Sequence, residues 1–307
     1  MKISTTLYFD RATQQMGNVQ ANLSKVQEQM STGLQIVKPS DAPDKAALVT
    51  RIESELSRQT SYQDTLKAVN VRLTAQETAL TNTSDVLYRI KELSTQAAND
   101  TLSKADRQSV AVELGALREQ IMSLGNSQDS NGNYLFSGSK ASTPPYAKDA
   151  TGAVYYQGDQ ARMKVNVGDS RRMNLNMPGS DAFVRVVRDD GKGAQTGVDF
   201  FQALDDLVTA VKNSDYSNIQ RGISEVDGLQ QGVSEGLAQI GTDLTVVDMQ
   251  NSVLDEVVLR LKATRSDVED LDYTEAITRM NKDQLALQAA QSGFAKISQL
   301  SLFKYLS

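Results

Sequence analysis

The chain has 307 residues, of which 39% are hydrophobic and 6% aromatic, and it contains no tryptophan. Its 38 acidic and 32 basic residues give a net charge of −6, and without clustered lysine and arginine it lacks the surface that neutralises nucleic-acid phosphates. It contains neither histidine nor cysteine, which excludes Ser-His-Asp and Cys-His catalysis, disulfides and every metal site built on thiolates or imidazoles.

This composition predicts no catalytic residue, no cofactor-binding residue and no metal ligand. Chemistry based on carboxylate pairs, lysine or serine stays open, although no segment has the pattern of a pocket. The first seven residues lack the apolar core of a secretory signal, and no stretch of 18 apolar residues could span a membrane. We therefore expect no membrane segment, and export from the cell would need a different signal.

Helical periodicity is the strongest pattern in the chain. Near the start, apolar residues recur at alternating spacings of three and four, as in the seam of a coiled coil. Gly33 is a typical residue at which such a helix ends, and Pro39 and Pro43 prevent its continuation. The members of this seam are Phe9, Ala12, Met16, Val19, Leu23, Val26 and Met30.

A second run keeps the same rhythm for longer and predicts a helix over residues 44–98, about 80 Å long at 1.5 Å per residue. A shorter helix follows, with Ser103 and Asp106 as its start signal. The seam of the long helix comprises Ile52, Tyr62, Leu66, Val69, Leu73, Leu80, Leu87, Ile90 and Ala97, and that of the short helix comprises Val110, Leu114, Leu117, Ile121 and Leu124.

The second half of the chain mirrors the first. One apolar frame over residues 219–268 predicts another helix of about 80 Å. The frame slips at residues 270–272, where Asp272 and Glu275 have the pattern of a capping box for a last helix. The first frame comprises Ile219, Ile223, Val226, Val233, Leu237, Ile240, Leu244, Val247, Leu254, Val258, Leu261 and Val268, and the last helix carries Ile277, Met280, Leu287, Phe294 and Ile297.

The middle of the chain, residues 138–197, is rich in Gly, Pro, Ser and Asp and contains strand-like runs at 154–156, 163–167 and 183–187. The predicted fold is mainly α: a long antiparallel coiled-coil helical hairpin with paired terminal helices and a small β-rich inserted domain. The predicted domains are residues 1–40 with 272–307, residues 41–138 with 198–271, and residues 139–197.

The terminal helices lack a sufficient core of their own. Paired with each other they would bury one stripe each, and short isolated helices are marginal in water. Apolar residues outside the seam, such as Ile3, Leu7 and Leu306, also need partners. We therefore expect the terminal helices to be buried against other chains, whereas the seams of the two long helices form the protein's own core.

Two polar patterns have alternative interpretations. Asp129, Asn131 and Asn133 match the first three ligand positions of a calcium loop, but Tyr134 and Lys140 replace its glycine and its bidentate glutamate, which favours a polar turn. Polar residues at seam positions either fix the register of the helices or reflect drift of the stripe. They are Gln59, Gln76, Asn251, Arg265, Gln284 and Gln291.

Two segments of the chain resemble the flagellin superfamily. Residues 30–47 (MSTGLQIVKPSDAPDKAA) resemble the turn between its two N-terminal helices, and residues 270–306 (DLDYTEAITRMNKDQLALQAAQSGFAKISQLSLFKYL) resemble its C-terminal helix. Residues 132–146, residues 156–183 and the LSLFKYL ending are more similar to the branch of the superfamily that joins the flagellar hook to the filament.

The resemblance implies a secreted structural subunit of the bacterial flagellum, exported unfolded by the flagellar type III apparatus and located outside the cell at the hook–filament junction. The implied partners are copies of the chain in a ring layer, a hook-associated protein on the hook side and one on the filament side, and an export chaperone that holds the C-terminal helix. Neither nucleic acid nor a membrane is an expected partner. The implied subunit-packing residues are Ile3, Leu7, Phe9, Met16, Val19, Leu23, Val26, Met30, Ile277, Met280, Leu287, Phe294, Ile297, Leu300, Leu302, Phe303 and Leu306.

Three alternatives stay open. Filament flagellin comes first, since it belongs to the same superfamily. A secreted coiled-coil adhesin or effector would explain the helices but not both terminal motifs. An enzyme is the least supported.

Overall fold

The structure, a computed structural model, describes the backbone of residues 2–189 and 195–306 and the side chains of residues 7, 9–188 and 195–296. Long helices dominate it, and short strands lie only in the middle of the chain. The helices are α1 Lys2–Thr32, α2 Pro43–Ala97, α3 Lys104–Gly125, α4 Gly179–Ala182, α5 Phe200–Asn213, α6 Tyr216–Glu269 and α7 Tyr273–Leu306, with a 3₁₀ turn at Pro39–Asp41. The strands are β1 Tyr146–Lys148, β2 Val154–Tyr156, β3 Lys164–Asn166, β4 Arg172–Asn174, β5 Val186–Asp189 and β6 Gln195–Val198.

The chain divides into two compact units. The terminal unit comprises Met1–Gln59 and Glu256–Ser307, and the central unit comprises Thr60–Asp255. The predicted domain boundaries near residues 40, 138, 197 and 271 stay predictions.

The two long helices have the predicted extents. Helix α2 has 55 residues and α6 has 54, which corresponds to about 80 Å each at 1.5 Å per residue. Ser103 caps α3 as predicted, because its hydroxyl accepts a hydrogen bond from the amide of Asp106. The mainly helical fold class predicted from the sequence is confirmed.

Within the central unit, α2 and α6 run antiparallel. Gln63 Nε2 donates to Asp255 Oδ1 over 2.6 Å, and Lys91 Nζ lies 2.5 Å from Asp227 Oδ1. Residue numbers therefore rise along α2 as they fall along α6. Leucine side chains at the predicted heptad positions, among them Leu80 and Leu87, are fully buried between the elements of this unit.

The part of the chain that contains the six strands, here called the β segment, shares its core with these helices. The three antiparallel pairs are β1 with β2, β3 with β4, and β5 with β6. Met177 and Phe183 belong to the same buried cluster as Leu80 and Ile240. The Phe183 ring packs edge-on against Phe200, with ring centroids 5.1 Å apart. Residues of this part of the chain and of the long helices therefore form one buried core.

A buried glutamine fixes this packing. Gln76 is fully buried on α2, where its Nε2 donates to the carbonyls of Leu135 (2.8 Å) and Met177 (3.2 Å). Gln250 on α6 donates in the same way to the carbonyl of Val167 (3.1 Å). Buried carbonyls without a donor are costly, so Gln76 stabilises the unit by donating to carbonyls of residues that lie outside the strands.

One expectation about the middle of the chain is wrong, and one helix was not predicted. The strand expected at residues 183–187 begins only at Val186, because Gly179–Ala182 form a helical turn that Phe183 ends. The structure also contains helix α5, which was not predicted from the sequence. Ser214, with a φ of +59°, separates α5 from α6.

Two glycines of α6 predict opposite effects of the same substitution. A Cβ at Gly232 would lie 2.2 Å from Val184 Cγ2, whereas a Cβ at Gly241 would meet no atom within 4 Å. Alanine stabilises a helix interior by about 1 kcal/mol relative to glycine, and overpacking costs about 1–3 kcal/mol. We expect Gly241→Ala to raise the free energy of unfolding by about 1 kcal/mol and Gly232→Ala to lower it by a similar amount.

Urea unfolding followed by circular dichroism measures both variants under one condition. A rise in stability for both would contradict the close packing of Val184 against α6.

Candidate assembly surface of the terminal helices

The two terminal helices form an antiparallel pair. Phe9 near the start of α1 contacts Phe294 near the end of α7, with ring centroids 5.4 Å apart and planes at 84°. At the other end, the Tyr273 hydroxyl donates to the carbonyl of Met30 over 3.2 Å. The edge-to-face geometry is the favoured one for an aromatic pair.

The turn after α1 fixes the start of α7. Gly33 has a φ of +74° and ends α1, as the sequence predicts. The amide of Leu271 donates to the carbonyl of Gly33 (2.9 Å), and the amide of Gln35 donates to the carbonyl of Glu269 (2.7 Å). These two bonds tie the turn to the α6–α7 connection in a short antiparallel bridge.

Asp272 caps α7. Its Oδ1 accepts hydrogen bonds from the amides of Thr274 (2.8 Å) and Glu275 (3.1 Å), which confirms the predicted N-cap. The predicted capping box is only half formed, because the Glu275 carboxylate lies 3.5 Å from Arg279 Nε, one turn further along the helix.

Most of the predicted packing residues line the seam between α1 and α7. Val26 is buried and packs with Leu271 and Ala276, and Met30 and Met280 cover this cluster. The other half-buried members are Phe9, Met16, Val19, Leu23, Leu287 and Phe294.

Two further predicted packing residues are exposed. Leu7 is 49% exposed and Ile277 is 43% exposed. The seam of α7 uses Ala276, which is fully buried, so the expected frame is shifted by one residue at this position. The side chains of Ile3, Ile297, Leu300, Leu302, Phe303 and Leu306 lie outside the described residues.

The seam buries little apolar surface for its length. Val26, Leu271 and Ala276 form its only buried cluster among the side chains that the structure describes. The other seam residues keep part of their surface in contact with solvent, and Leu285 on the outer face of α7 is 68% exposed. A helix pair with so small a core gains most of its stability from further apolar contacts.

Among the described residues, no three Asp or Glu side chains form a group that could hold a metal ion, and no helix is long and apolar enough to cross a membrane. Asp129 forms the polar turn that its sequence favours, since Oδ1 accepts from the amides of Asn131 and Asn133 and Oδ2 pairs with Arg72 at 2.8 Å. Burial opposes ionisation here, but these amide hydrogen bonds and the Arg72 charge lower the pKa of Asp129.

The sequence is similar to flagellar proteins over nearly its whole length. Residues 3–141 match the family described as the bacterial flagellin N-terminal helical region, and residues 223–306 match the bacterial flagellin C-terminal helical region. Flagellar hook-associated protein 3 of Salmonella typhimurium and that of Escherichia coli are each 27% identical to the chain over 99% of both sequences. Flagellin B of Vibrio anguillarum is 22% identical over 97% of both sequences.

Two crystal structures share the fold. FlgL of Xanthomonas campestris aligns with a TM-score of 0.62 at 23% identity, over 71% of this chain and 99% of that one. The flagellar junction protein of Legionella pneumophila aligns with a TM-score of 0.55 at 16% identity, over 74% of this chain and 99% of that one.

The small core of the terminal seam predicts weak protection in the free protein. In dilute monomer, we expect the amides of residues 16–30 and 280–297 to exchange at least about 100-fold faster than those of residues 80–90. Residues 80–90 lie on α2 and include the fully buried Leu80 and Leu87. Hydrogen exchange followed by mass spectrometry compares all three segments in one sample. Equal protection of the three would show that the pair is stable without a partner.

Proposed function

Because the chain belongs to the flagellin family of bacterial flagellar proteins, we propose that it is the structural subunit that joins the flagellar hook to the filament. The observation that carries this proposal is the match to flagellar hook-associated protein 3 over 99% of both sequences. The shared fold with a flagellar junction protein also supports it.

The geometry of the terminal unit fits such a role. Most described residues of the α1–α7 seam are only half-buried, while Leu7, Ile277 and Leu285 present apolar surface to solvent. Neighbouring subunits would cover this surface, and the hydrophobic effect would then stabilise the helix pair on assembly. The packing residues predicted from the sequence would carry these contacts.

The partners follow from the position of a junction layer. Copies of the chain form a ring, one hook-associated protein lies on the hook side, and another lies on the filament side. The subunit acts by packing and is not an enzyme.

Export precedes assembly in this proposal. The chain leaves the cell unfolded through the flagellar type III apparatus, with a chaperone on its C-terminal helix, and assembles outside the cell. A chain without cysteine suits this route, because no disulfide can form before the subunit reaches its place.

Filament flagellin is the second candidate, and the two family regions and the similarity to a flagellin favour it. The two differ in their axial contacts. A filament subunit packs on copies of itself along the axis and forms an open polymer. A junction subunit has different proteins above and below, so its own polymer should stop at one layer.

Deleting the gene separates these candidates. For a junction subunit, we expect intact hooks without filaments and unpolymerised flagellin in the medium, as seen by electron microscopy and immunoblotting. Purified protein seeded with filament fragments should not extend them. Long filaments made of this chain alone would identify a filament subunit instead.

A single substitution tests whether the outer face of α7 is an assembly contact. Ile277→Asp places a charge on an exposed apolar position, and Thr278→Asp places the same charge on the next, also exposed, residue. We expect Ile277→Asp to reduce filament-bearing cells about tenfold or more, because a charge in an apolar contact loses its hydration, and Thr278→Asp to have little effect. Both proteins should be secreted at normal levels, which immunoblots of the medium and flagella check. Full assembly of the Ile277→Asp chain would remove this face from the interface.

A further inference from the structure

We propose that neighbouring copies of this chain dock through an asymmetric charged contact. The carboxylates of Asp267, Asp270 and Asp272 on one copy enter a basic cleft bordered by Lys45 and Lys282 on the next. This inference rests on the proposed function, since it names the surface by which copies meet in a layer.

The cleft lies within the terminal unit and has a volume of about 530 Å³. Its walls are α1, the segment of residues 35–42 with the start of α2, and α7. Four basic side chains and two carboxylates line it, so the cleft is cationic. The lining carboxylates are those of Asp41 and Asp283.

Two of the four cations are compensated inside the chain. Lys25 Nζ lies 2.8 Å from Asp41 Oδ1, and this hydrogen bond lowers the pKa of Asp41. Arg279 Nε lies 3.5 Å from the carboxylate of Glu275. The Lys25–Asp41 pair therefore adds little net charge.

The other two cations, Lys45 and Lys282, have no acidic partner within 4 Å among the described residues. Lys45 Nζ donates to the neutral side-chain oxygen of Gln35 over 2.9 Å. Neither Lys45 nor Lys282 forms an ion pair within 4 Å in the part of the chain that the structure describes, and both are exposed. A carboxylate from outside the chain could approach both without displacing an existing pair.

The connection between α6 and α7 carries the complementary charge. Asp267, Asp270 and Asp272 are exposed, and their hydrogen bonds come from neutral groups: Ser266 donates to Asp270, and two backbone amides donate to Asp272. No lysine or arginine nitrogen of the described residues forms an ion pair with any of the three. The segment is therefore an uncompensated anionic patch.

The relation of the two patches indicates a second copy as the occupant. Gln35 borders the cleft, and its amide bonds to the carbonyl of Glu269 in the acidic segment, so both patches lie at the same end of the helix pair. They are nevertheless different surfaces, and the chain does not pair them with each other. Each copy would donate one patch and receive the other, which is the head-to-tail contact that builds a ring or a helix.

Charge reversal in vivo tests the contact. In a strain that lacks the native gene, Lys45→Glu and Asp267→Lys should each lower the fraction of filament-bearing cells about tenfold. The chain that carries both substitutions should recover to within about twofold of the unmodified protein, because the reversed charges attract each other again across the contact. Lys262→Glu is the matched control, since this exposed lysine of α6 does not line the cleft.

The outcomes separate this inference from the proposed function. If the unmodified gene restores filaments but neither single reversal reduces them, the charged contact is wrong and the function stands. If the single reversals reduce filaments and the combination does not recover, the cleft binds a different protein. If deletion of the gene leaves filaments attached, the proposed function itself fails.

A cross-link covers the case in which a reversed chain is not exported. The chain has no cysteine, so copies with Lys45→Cys co-produced with copies with Asp267→Cys can form a disulfide only between chains. After mild oxidation of purified flagella, we expect a covalent dimer that depends on both variants. Its absence, with both chains present in the flagella, would overturn the proposal.

Discussion

Two antiparallel helices can bury only one stripe of each helix against the other. This constraint limits the size of the apolar core in the terminal unit. Val26 and Ala276 are buried, but Phe9, Leu23 and Leu287 are only half-buried. No rearrangement of two helices can cover these side chains on all sides. Additional burial must come from outside the pair, which is the physical reason that a family of such chains works as an assembly.

In the central unit, other elements of the same chain supply the additional burial. Its long helices are covered by α3, by α5 and by the β segment, so that Leu80 and Leu87 reach full burial. This arrangement places backbone carbonyls of loops and short strands in the core, where they need hydrogen-bond donors. The side-chain amides of Gln76 and Gln250 donate hydrogen bonds to the carbonyls of Leu135 and Val167, respectively. A polar residue in an apolar stripe is therefore part of the packing of this unit.

Features that depend on interactions between residues close in the sequence were predictable, whereas features that depend on distant residues were not. Helix extents were predictable because a hydrogen-bonded turn and a seam both repeat within a few residues, and the stop at Gly33 and the N-cap at Asp272 are local signals. The strands β1, β4 and β6 were missed because strands of three or four residues show no period before they are paired. Helix α5 carried a readable signal, since Phe200, Leu204, Leu207 and Val211 recur at helical spacing.

The seam of α7 shows a different limit. Ile277 is more apolar than Ala276, so a frame chosen by hydrophobicity selects the isoleucine. The structure buries the alanine against Val26 and exposes the isoleucine. Hydrophobicity alone cannot distinguish a residue that is buried in the seam of its own chain from an exposed residue that would contact another subunit, because both are apolar. The assembly role of the packing residues accordingly stays a prediction.

The separation in sequence between contacting residues indicates the order in which such a subunit would fold after export. Helical hydrogen bonds join residues four apart and need no distant segment. The pairing of Phe9 with Phe294, and the bridge between Leu34 and Asp270, join opposite ends of the sequence. Closing so long a loop costs entropy before any contact forms. A chain that emerges unfolded, as proposed, would therefore form its helices first and its terminal pair last, when neighbouring subunits are present to cover the seam.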